Sequence, residues 1–339
     1  MPHSSITPLR LGTRGSQLAL WQVNTVAARI AEAGGPPCEI VIIRTSGDQL
    51  QEAPLSAVGG KRLFVKEIED ALLRGDIDLA VHSSKDMPVV LPDGLTIAGV
   101  LPREDPSDAV VLPVPAIGHQ PSALSSVDHL VAALGQSPSI GTGSVRRVAQ
   151  LTRIFPGARF TPIRGNLDTR LRKLDAGEYD ALVLASAGLR RLGLAARISL
   201  ALPASACVPA PGQGIVAIEI RAGGDRDAVR PIVARFADPE AGAALDAERA
   251  LVATLGGGCQ TPVGALASPA DGETLELTAI VVSLDGSRAV RGCGRAPRRE
   301  AAALGARVGA QLLDEGAGDI LADAELHLKF QGSTLNSQP

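Results

Sequence analysis

The chain has 339 residues, 45% hydrophobic and 20% charged, with a formal net charge of −3; at ~100–200 residues per domain it is long enough for two or three. No apolar run approaches the ~20 residues of a membrane helix, and the opening Met1-Pro2-His3-Ser4-Ser5 lacks the basic and apolar regions of a secretion signal, so a cytoplasmic protein with no membrane partner is expected. The four cysteines (Cys38, Cys207, Cys259, Cys293) are widely separated and form no CxxC pair, which argues against a disulfide framework and a zinc knuckle.

The first hundred residues alternate strand and helix signals. Residues 9–12 read as a short strand, and Ser16 as the N-cap of a helix that stops at Gly34-Gly35. A buried strand is expected over 39–43, a helix over 63–74 ended by Gly75, and another strand over 77–82. Five prolines between Pro102 and Pro121 interrupt this βαβ syntax, so no regular element is expected before about Asp128 and a domain boundary falls in this stretch. A second βαβ series follows, with a strand near Ile140, a helix from Ser144, a strand over 159–163, a helix over 167–176, a strand over 179–185 and a short helix. The strand over 215–220 has no partner in that series and is expected to return to the first lobe. Beyond Asp238 the pattern becomes α+β: a helix over 239–255, strands over 275–283 and 288–293 around Asp285-Gly286, a helix from about 298 to 313, and a frayed tail from Phe330. The expected domains are residues 1–105 with 215–235, residues 106–214, and residues 236–330, followed by a tail over 331–339.

Charge is unevenly placed along this framework. Between Gly141 and Arg191 nine Arg and one Lys stand against four acids, and 28 of the 33 basic residues of the chain are Arg, whose planar guanidinium grips carboxylate or phosphate in a two-pronged fork. The aromatics, five Phe, one Tyr and one Trp, are too few to act as stacking platforms for single-stranded nucleic acid. A small polyanion is the expected ligand.

Two strand-to-helix junctions echo each other, Gly12-Thr13-Arg14-Gly15-Ser16 and Gly141-Thr142-Gly143-Ser144 followed by Arg146-Arg147; free backbone N–H groups, a hydroxyl and guanidiniums at such a junction suit an anion. Arg164-Gly165-Asn166 with Arg170 repeats the pattern one unit later, and Arg190-Arg191 adds a weaker signal. Asp86 lies just past the strand over 77–82, at the carboxyl end where open α/β sheets bind ligands, with Lys85 beside it. A carboxylate there accepts N–H groups and stabilises a developing cation, although each of these residues taken alone reads equally as a turn former or a solvated surface charge. The turn Pro209-Ala210-Pro211-Gly212-Gln213-Gly214 presents Gln213, and Cys259 follows three glycines, either as a reachable thiolate or as a small buried side chain. These residues leave open an anion-sensing binding module and a thiol acyltransferase, the latter requiring a histidine partner that no motif around the five histidines supplies.

Taken in order, the segments resemble the porphobilinogen deaminase (hydroxymethylbilane synthase) family from about Leu9 to Ala322. The resemblance is carried by Gly12-Thr13-Arg14, Val58-Gly59-Gly60-Lys61 with Leu63-Phe64-Val65-Lys66-Glu67, His82-Ser83 with Lys85-Asp86, Arg146-Arg147, Arg164-Gly165-Asn166, Gly177-Glu178-Tyr179-Asp180-Ala181, Pro209-Ala210 with Gly212-Gln213-Gly214, and Gly257-Gly258-Cys259-Gln260. It implies an α/β fold of two periplasmic-binding-protein-like (type II) βαβ lobes plus a small α+β C-terminal domain. It also implies a monomeric transferase of haem and porphyrin biosynthesis, which joins four porphobilinogen units with loss of four ammonia to give 1-hydroxymethylbilane and needs no metal.

A dipyrromethane cofactor on a thioether to Cys259 is implied as well. By the family pattern Asp86 is the catalytic carboxylate and also binds the cofactor, whose carboxylates are held by Lys85, Ser144, Arg146 and Arg147. Arg14, Ser16, Arg164, Arg170, Arg191 and Gln213 contact the incoming or growing chain, and residues 46–61 form a mobile loop over the cleft. Three positions depart from the pattern, Arg62 for Gly, Gly143 for Ser and Gly256 for Glu, and the stretch between Leu112 and Ser137 is longer than usual.

Overall fold

The computed structural model describes residues 7–46, 65–114, 124–223, 229–258 and 261–335. Cys259, Gln260, Arg62 and all of the expected 46–61 loop except Ser46 lie outside the described residues.

In chain order the first lobe contributes β1 (Leu9–Thr13), α1 (Gln17–Glu32), β2 (Cys38–Ile42), α2 (Lys66–Arg74), β3 (Leu79–Ser83) and β4 (Leu95–Val100). The second contributes β5 (Asp108–Val111), α3 (Val127–Leu134), β6 (Ser139–Gly141), α4 (Val145–Leu151), β7 (Arg159–Thr161), α5 (Leu167–Asp175), β8 (Ala181–Ala185), α6 (Ser186–Arg191) and β9 (Leu200–Ala201). Then come β10 (Val216–Arg221), α7 (Arg230–Val233), α8 (Pro239–Thr254), β11 (Val263–Asp271), β12 (Thr274–Val282), β13 (Ala289–Pro297), α9 (Ala301–Asp314) and α10 (Ala317–Leu335). Among the described residues no helix is long and apolar enough to cross a membrane.

The two lobes share one topology. The first sheet runs β2-β1-β3-β10-β4 and the second β7-β6-β8-β5-β9, each with three parallel strands and then a strand antiparallel to both its neighbours, β10 in the first and β5 in the second. This is the doubled type II periplasmic-binding-protein arrangement, and the expected return of the 215–220 strand to the first lobe is found in β10. The antiparallel sheet β11-β12-β13 makes the third domain.

Local sequence explains most elements. In α1, Ala19, Val23, Val26 and Ile30 fall at three- and four-residue spacing and are buried, while the Ser16 hydroxyl caps the first turn by accepting from the Ala19 amide at 3.3 Å. That stripe meets Leu11, Leu79, Val81, Val216 and Ile218 on one face of the first sheet; Ile68 and Leu72 of α2, with Ile77 and Leu95, cover the other. Each fully buried Leu or Ile contributes about 1.5–3 kcal/mol relative to exposure. In the second lobe Leu130 of α3 packs against Ile140 and Val183, so part of the long 112–137 stretch is core.

Several expectations are corrected. β5 lies within the proline-rich stretch where no regular element was expected, and all four of its residues are buried. Flanking Pro106 and Pro113 and a leading Asp108 disguise it, because strand burial here is set by β8 and β9 on either side rather than by local pattern. The strands β4, β9 and β11 are likewise absent from the sequence reading. The tail expected from Phe330 is instead helical backbone through Leu335 in α10.

The chain crosses between lobes twice, and the crossings lie side by side: the Leu101 amide donates to the Val216 carbonyl and the Glu104 amide to the Gly214 carbonyl, both at 3.0 Å. Gly214 has φ +87°, and a Cβ there would sit 2.2 Å from the Glu104 carbonyl oxygen, so the close crossing requires glycine. One carboxylate then ties this crossing to the third domain. Glu248 of α8 is fully buried; Arg103 donates to its Oε1 at 2.6 Å and to its Oε2 at 3.3 Å, and the amides of Gly212 and Ala267 donate at 2.5 and 2.7 Å. Apolar seams flank it, Met87 with Leu245 on one side and Val208 with Ile280 on the other.

Glu248→Ala removes the acceptor of three donors while leaving the Arg103 guanidinium largely buried, a class of change that costs about 3–5 kcal/mol. Urea unfolding of the purified variant should show a transition lowered by that amount. An unchanged midpoint would mean that the apolar seams alone hold the third domain.

Candidate active site

The candidate residues gather at the carboxyl ends of the parallel strands of both lobes. β1 leads into Arg14 and Ser16, β3 into the 3₁₀ turn Ser84–Asp86, β6 into Ser144, and β7 into Arg164. Ser144 and Asn166 are N-caps, accepting from the amides of Arg147 at 3.4 Å and Thr169 at 3.0 Å. Each serine cap accepts through its oxygen and retains an O–H to donate elsewhere.

At the centre is Asp108, which is fully buried. Arg146 donates to both its oxygens (2.6 and 3.1 Å), Arg147 donates from Nε at 2.8 Å, and Gln213 from Nε2 at 3.0 Å. Burial alone would push the Asp108 carboxyl up, but the two guanidiniums hold it far below the usual carboxylate range. Arg146 also donates to the Val208 carbonyl at 2.7 Å, and Arg147 to the Val183 carbonyl at 2.8 Å.

The structure thus separates the arginines. Arg146, 4% exposed, is directed into the protein, while Arg164 and Arg170 are half-buried at the cleft. The Arg164 guanidinium has no hydrogen-bond or ion-pair partner among the described residues, whereas Arg170 donates from Nε to the Gly165 carbonyl at 2.9 Å. Burial, reinforced by Arg147 and Arg164, lowers Arg170 to about 10; Asp86 acts in the opposite sense from the other lobe. Lys85 behaves alike: burial and Arg147 lower its ammonium to about 8 against the pull of Asp86 and Asp108. Its Nζ donates to Gln213 Oε1 at 3.3 Å. Exposed Asp86 thus lies beside Lys85 on its own turn and within electrostatic reach of Arg170 of the second lobe.

Arg191 stands beside the crossing, donating to the Gly214 carbonyl at 2.7 Å with its guanidinium 5.4 Å from the ring of Trp21 in the first lobe. Burial lowers it, opposed by Glu104. Arg14 and Ser16 are half-buried at the β1–α1 junction. Sequence reasoning missed Asp108, Arg103 and Glu248. Asp108 was hidden in the stretch read as irregular, and its partners lie 38, 39 and 105 residues away.

Cys259 falls outside the described residues, but the end of α8 that leads to it is clear. The Gly256 amide donates to Ala253 and the Gly257 amide to Val252, both at 3.1 Å, with Gly256 at φ +65°. This is a Schellman termination, in which a left-handed residue follows the C-cap. Glycine at this departure from the family pattern fits that backbone without strain. A cavity of about 390 Å³ at the seam between the second lobe and the third domain is lined by Gln150, Arg153 and Arg291 and by none of the candidate site residues.

Two family profiles match in chain order, "Porphobilinogen deaminase, dipyromethane cofactor binding domain" over residues 9–229 and "Porphobilinogen deaminase, C-terminal domain" over 243–314. A porphobilinogen deaminase of Geobacter metallireducens is 44% identical over 316 residues, covering 93% of this chain and 94% of its own length. That of Chromobacterium violaceum is 46% identical over 314 residues, covering 92% and 96%. Among solved structures an ancestral cationic amino acid solute binding protein aligns with 68% of this chain and 87% of its own at 16% identity and a TM-score of 0.41; the sheet order, not that distant likeness, defines the fold here. Matched by both profiles and by relatives along nearly its whole length, the chain belongs to the porphobilinogen deaminase family, transferases of tetrapyrrole biosynthesis that polymerise the small pyrrole porphobilinogen.

Proposed function

We propose that the protein joins four porphobilinogen units head to tail, releasing one ammonia for each, and frees the product as 1-hydroxymethylbilane by addition of water. The observation that carries this reading is one exposed carboxylate, Asp86, beside Lys85 on its own turn and within electrostatic reach of Arg170, which stands with Arg164 in the second lobe. Each pyrrole unit bears an acetate, a propionate and a ring N–H. Cations suit the side chains, and the single carboxylate suits the N–H groups.

The same donor set fits a dipyrromethane cofactor, itself two such pyrroles, attached by a thioether to Cys259. When bound, that group supplies the pyrrole carbon to which new units are added. Lys85, Ser144 and Arg147 would hold its carboxylates and Asp86 its N–H groups. Arg146, turned inward, supports them by fixing Asp108. Arg14, Ser16, Arg164, Arg170 and Arg191 then contact the incoming or growing chain, whereas Gln213, expected there too, is buried with its amide committed to Asp108 and Lys85. As ammonia leaves a bound porphobilinogen, positive charge spreads over the pyrrole and its methylene carbon, and the Asp86 carboxylate stabilises that charge at the N–H. The cations orient the unit through its carboxylates.

Asp86→Asn keeps shape and loses charge. Turnover should fall ~10²–10³-fold with the thermal midpoint unchanged, since one well-aimed charge-stabilising group is worth about that much. Near-normal product formation by the folded variant would refute the role.

The separation of the arginines gives a paired expectation. Arg164→Leu should weaken substrate binding by one to two decades, about 1.5–3 kcal/mol for a charge-assisted bond, and leave stability alone. Arg146→Leu should destabilise by about 3–5 kcal/mol, because it breaks the buried pair with Asp108 and leaves that carboxylate only Arg147, Gln213 and the Cys207 thiol as donors. Equal effects of both on stability would show that the cleft has been drawn wrongly.

Intact mass of the purified protein tests the cofactor directly. The chain should exceed its sequence mass by one dipyrromethane, and the excess should map to the peptide containing Cys259 and survive thiol reductants, as a thioether does and a disulfide does not. Cys259→Ala should lose it, whereas Cys38, Cys207 and Cys293 variants should keep it. Active protein of bare sequence mass would overturn the covalent mechanism.

A further inference from the structure

Asp108 binds two of the cations, Arg146 and Arg147, and stands behind the others. Besides Arg146, Arg147 and Gln213, its Oδ2 accepts from the Cys207 thiol at 3.3 Å, which burial and Asp108 itself push up to about 12, so the sulfur remains a donor at physiological pH. Gln213 relays this arrangement to the first lobe. Its Nε2 lies 2.7 Å from the Pro106 carbonyl, 3.4 Å from that of Ser107 and 3.0 Å from Asp108 Oδ1. Turning the amide over would set its oxygen against three acceptors, so the neighbours themselves fix which end is which. Oε1 is thereby left facing Lys85 Nζ at 3.3 Å.

We propose that Asp108 is a positioning residue of the pyrrole site: it orients Arg147 directly and, through the Gln213 amide, Lys85, so that one buried carboxylate aligns cations contributed by both lobes. The inference rests on the reading of Lys85 and Arg147 as holders of pyrrole carboxylates. Asp108 does not reach a ligand itself and acts through these two side chains.

The charged groups facing Lys85 are Asp86 on its own turn, Arg146 and Arg147 from α4, and Asp108 from β5. Asp108→Asn removes one of two carboxylates that favour the ammonium and leaves both arginines that oppose it. The Lys85 titration should therefore move down, by about one pH unit for a neighbouring opposite charge.

The chain has 33 Lys and Arg together, of which only five are Lys, so lysine carrying ¹³C at Cε gives a countable spectrum of the intact protein, and Lys85→Arg assigns the signal. In the wild type that signal should titrate at pH 8 or above, since a cofactor carboxylate on Lys85 adds to the pull of Asp86 and Asp108. In Asp108→Asn the midpoint should be about one unit lower. An unchanged Lys85 titration in folded Asp108→Asn overturns the proposal; because the lost charge lowers that midpoint even without positioning, Gln213→Met tests the relay itself. Should Asp108→Asn fail to fold, Gln213→Met decides. It keeps Asp108 and both arginines and removes the amide relay; a lowered Lys85 midpoint supports the relay, and an unchanged one overturns it. Failure of the functional reading would appear separately, as wild-type protein that forms no hydroxymethylbilane while Lys85 titrates as described.

Discussion

The site depends on an exchange of strands between the lobes. β5 follows the first lobe in sequence but completes the second sheet, and β10 follows the second lobe but completes the first. Neither sheet closes without a strand delivered across the junction. The two connections must therefore run together, and they do so as a bonded pair at Leu101–Val216 and Glu104–Gly214. The exchange also locates the chemistry. The turn bearing Lys85 and Asp86 is tied to the crossing by the Ser84 amide on the Ile215 carbonyl at 2.9 Å, while Asp108 opens β5 and Gln213 stands three residues before β10. Residues 85, 108 and 213 meet because the topology brings the start of one exchanged strand, the approach to the other, and the end of β3 to a single place.

Such a place would be electrostatically untenable with cations alone. Lys85, Arg146 and Arg147 stand close enough for the two arginines to hold the lysine down, and a buried carboxylate is the inexpensive remedy, since it converts two of the like charges into its own ligands. The remaining positive potential lies with Lys85, Arg164 and Arg170, on the side open to the cleft. Arginine suits both tasks for different reasons: inside, its fork divides among Asp108, Val208 and Val183; outside, it stays charged even after partial burial lowers it. Lysine lacks that reserve, and Lys85 is the cation here whose charge is sensitive near neutrality.

Features written in local chemistry were legible in the sequence. Ser16, Ser144 and Asn166 signal their helices because an N-cap is a property of three or four neighbouring residues. The buried strands β1, β3 and β8 and the arginine-rich wall were legible for similar reasons. β5 was not, because its two proline flanks resemble a loop and its burial comes from β8 and β9. β11 is built largely from Ala, Gly, Ser and Pro, residues with little strand preference, and is held by β12 along its length. The inward and outward arginines could not be told apart either. Arg146 and Arg164 both follow strand-to-helix junctions, and what separates them is Asp108, a residue far from each in sequence.

The attachments between the lobes differ greatly in strength. At the crossing, backbone ladders and the Arg103–Glu248 pair join three domains through buried groups. Beside it, Arg191 of the second lobe also meets Trp21 of the first, the latter 37% exposed, and a cation–π contact in such a setting is worth only about 0.5–1 kcal/mol. Arg191 is in addition bonded to the Gly214 carbonyl, at the crossing itself. The geometry that sets Lys85, Asp108 and Gln213 against one another therefore depends on the buried ladder and the buried ion pair, not on the exposed Arg191–Trp21 contact.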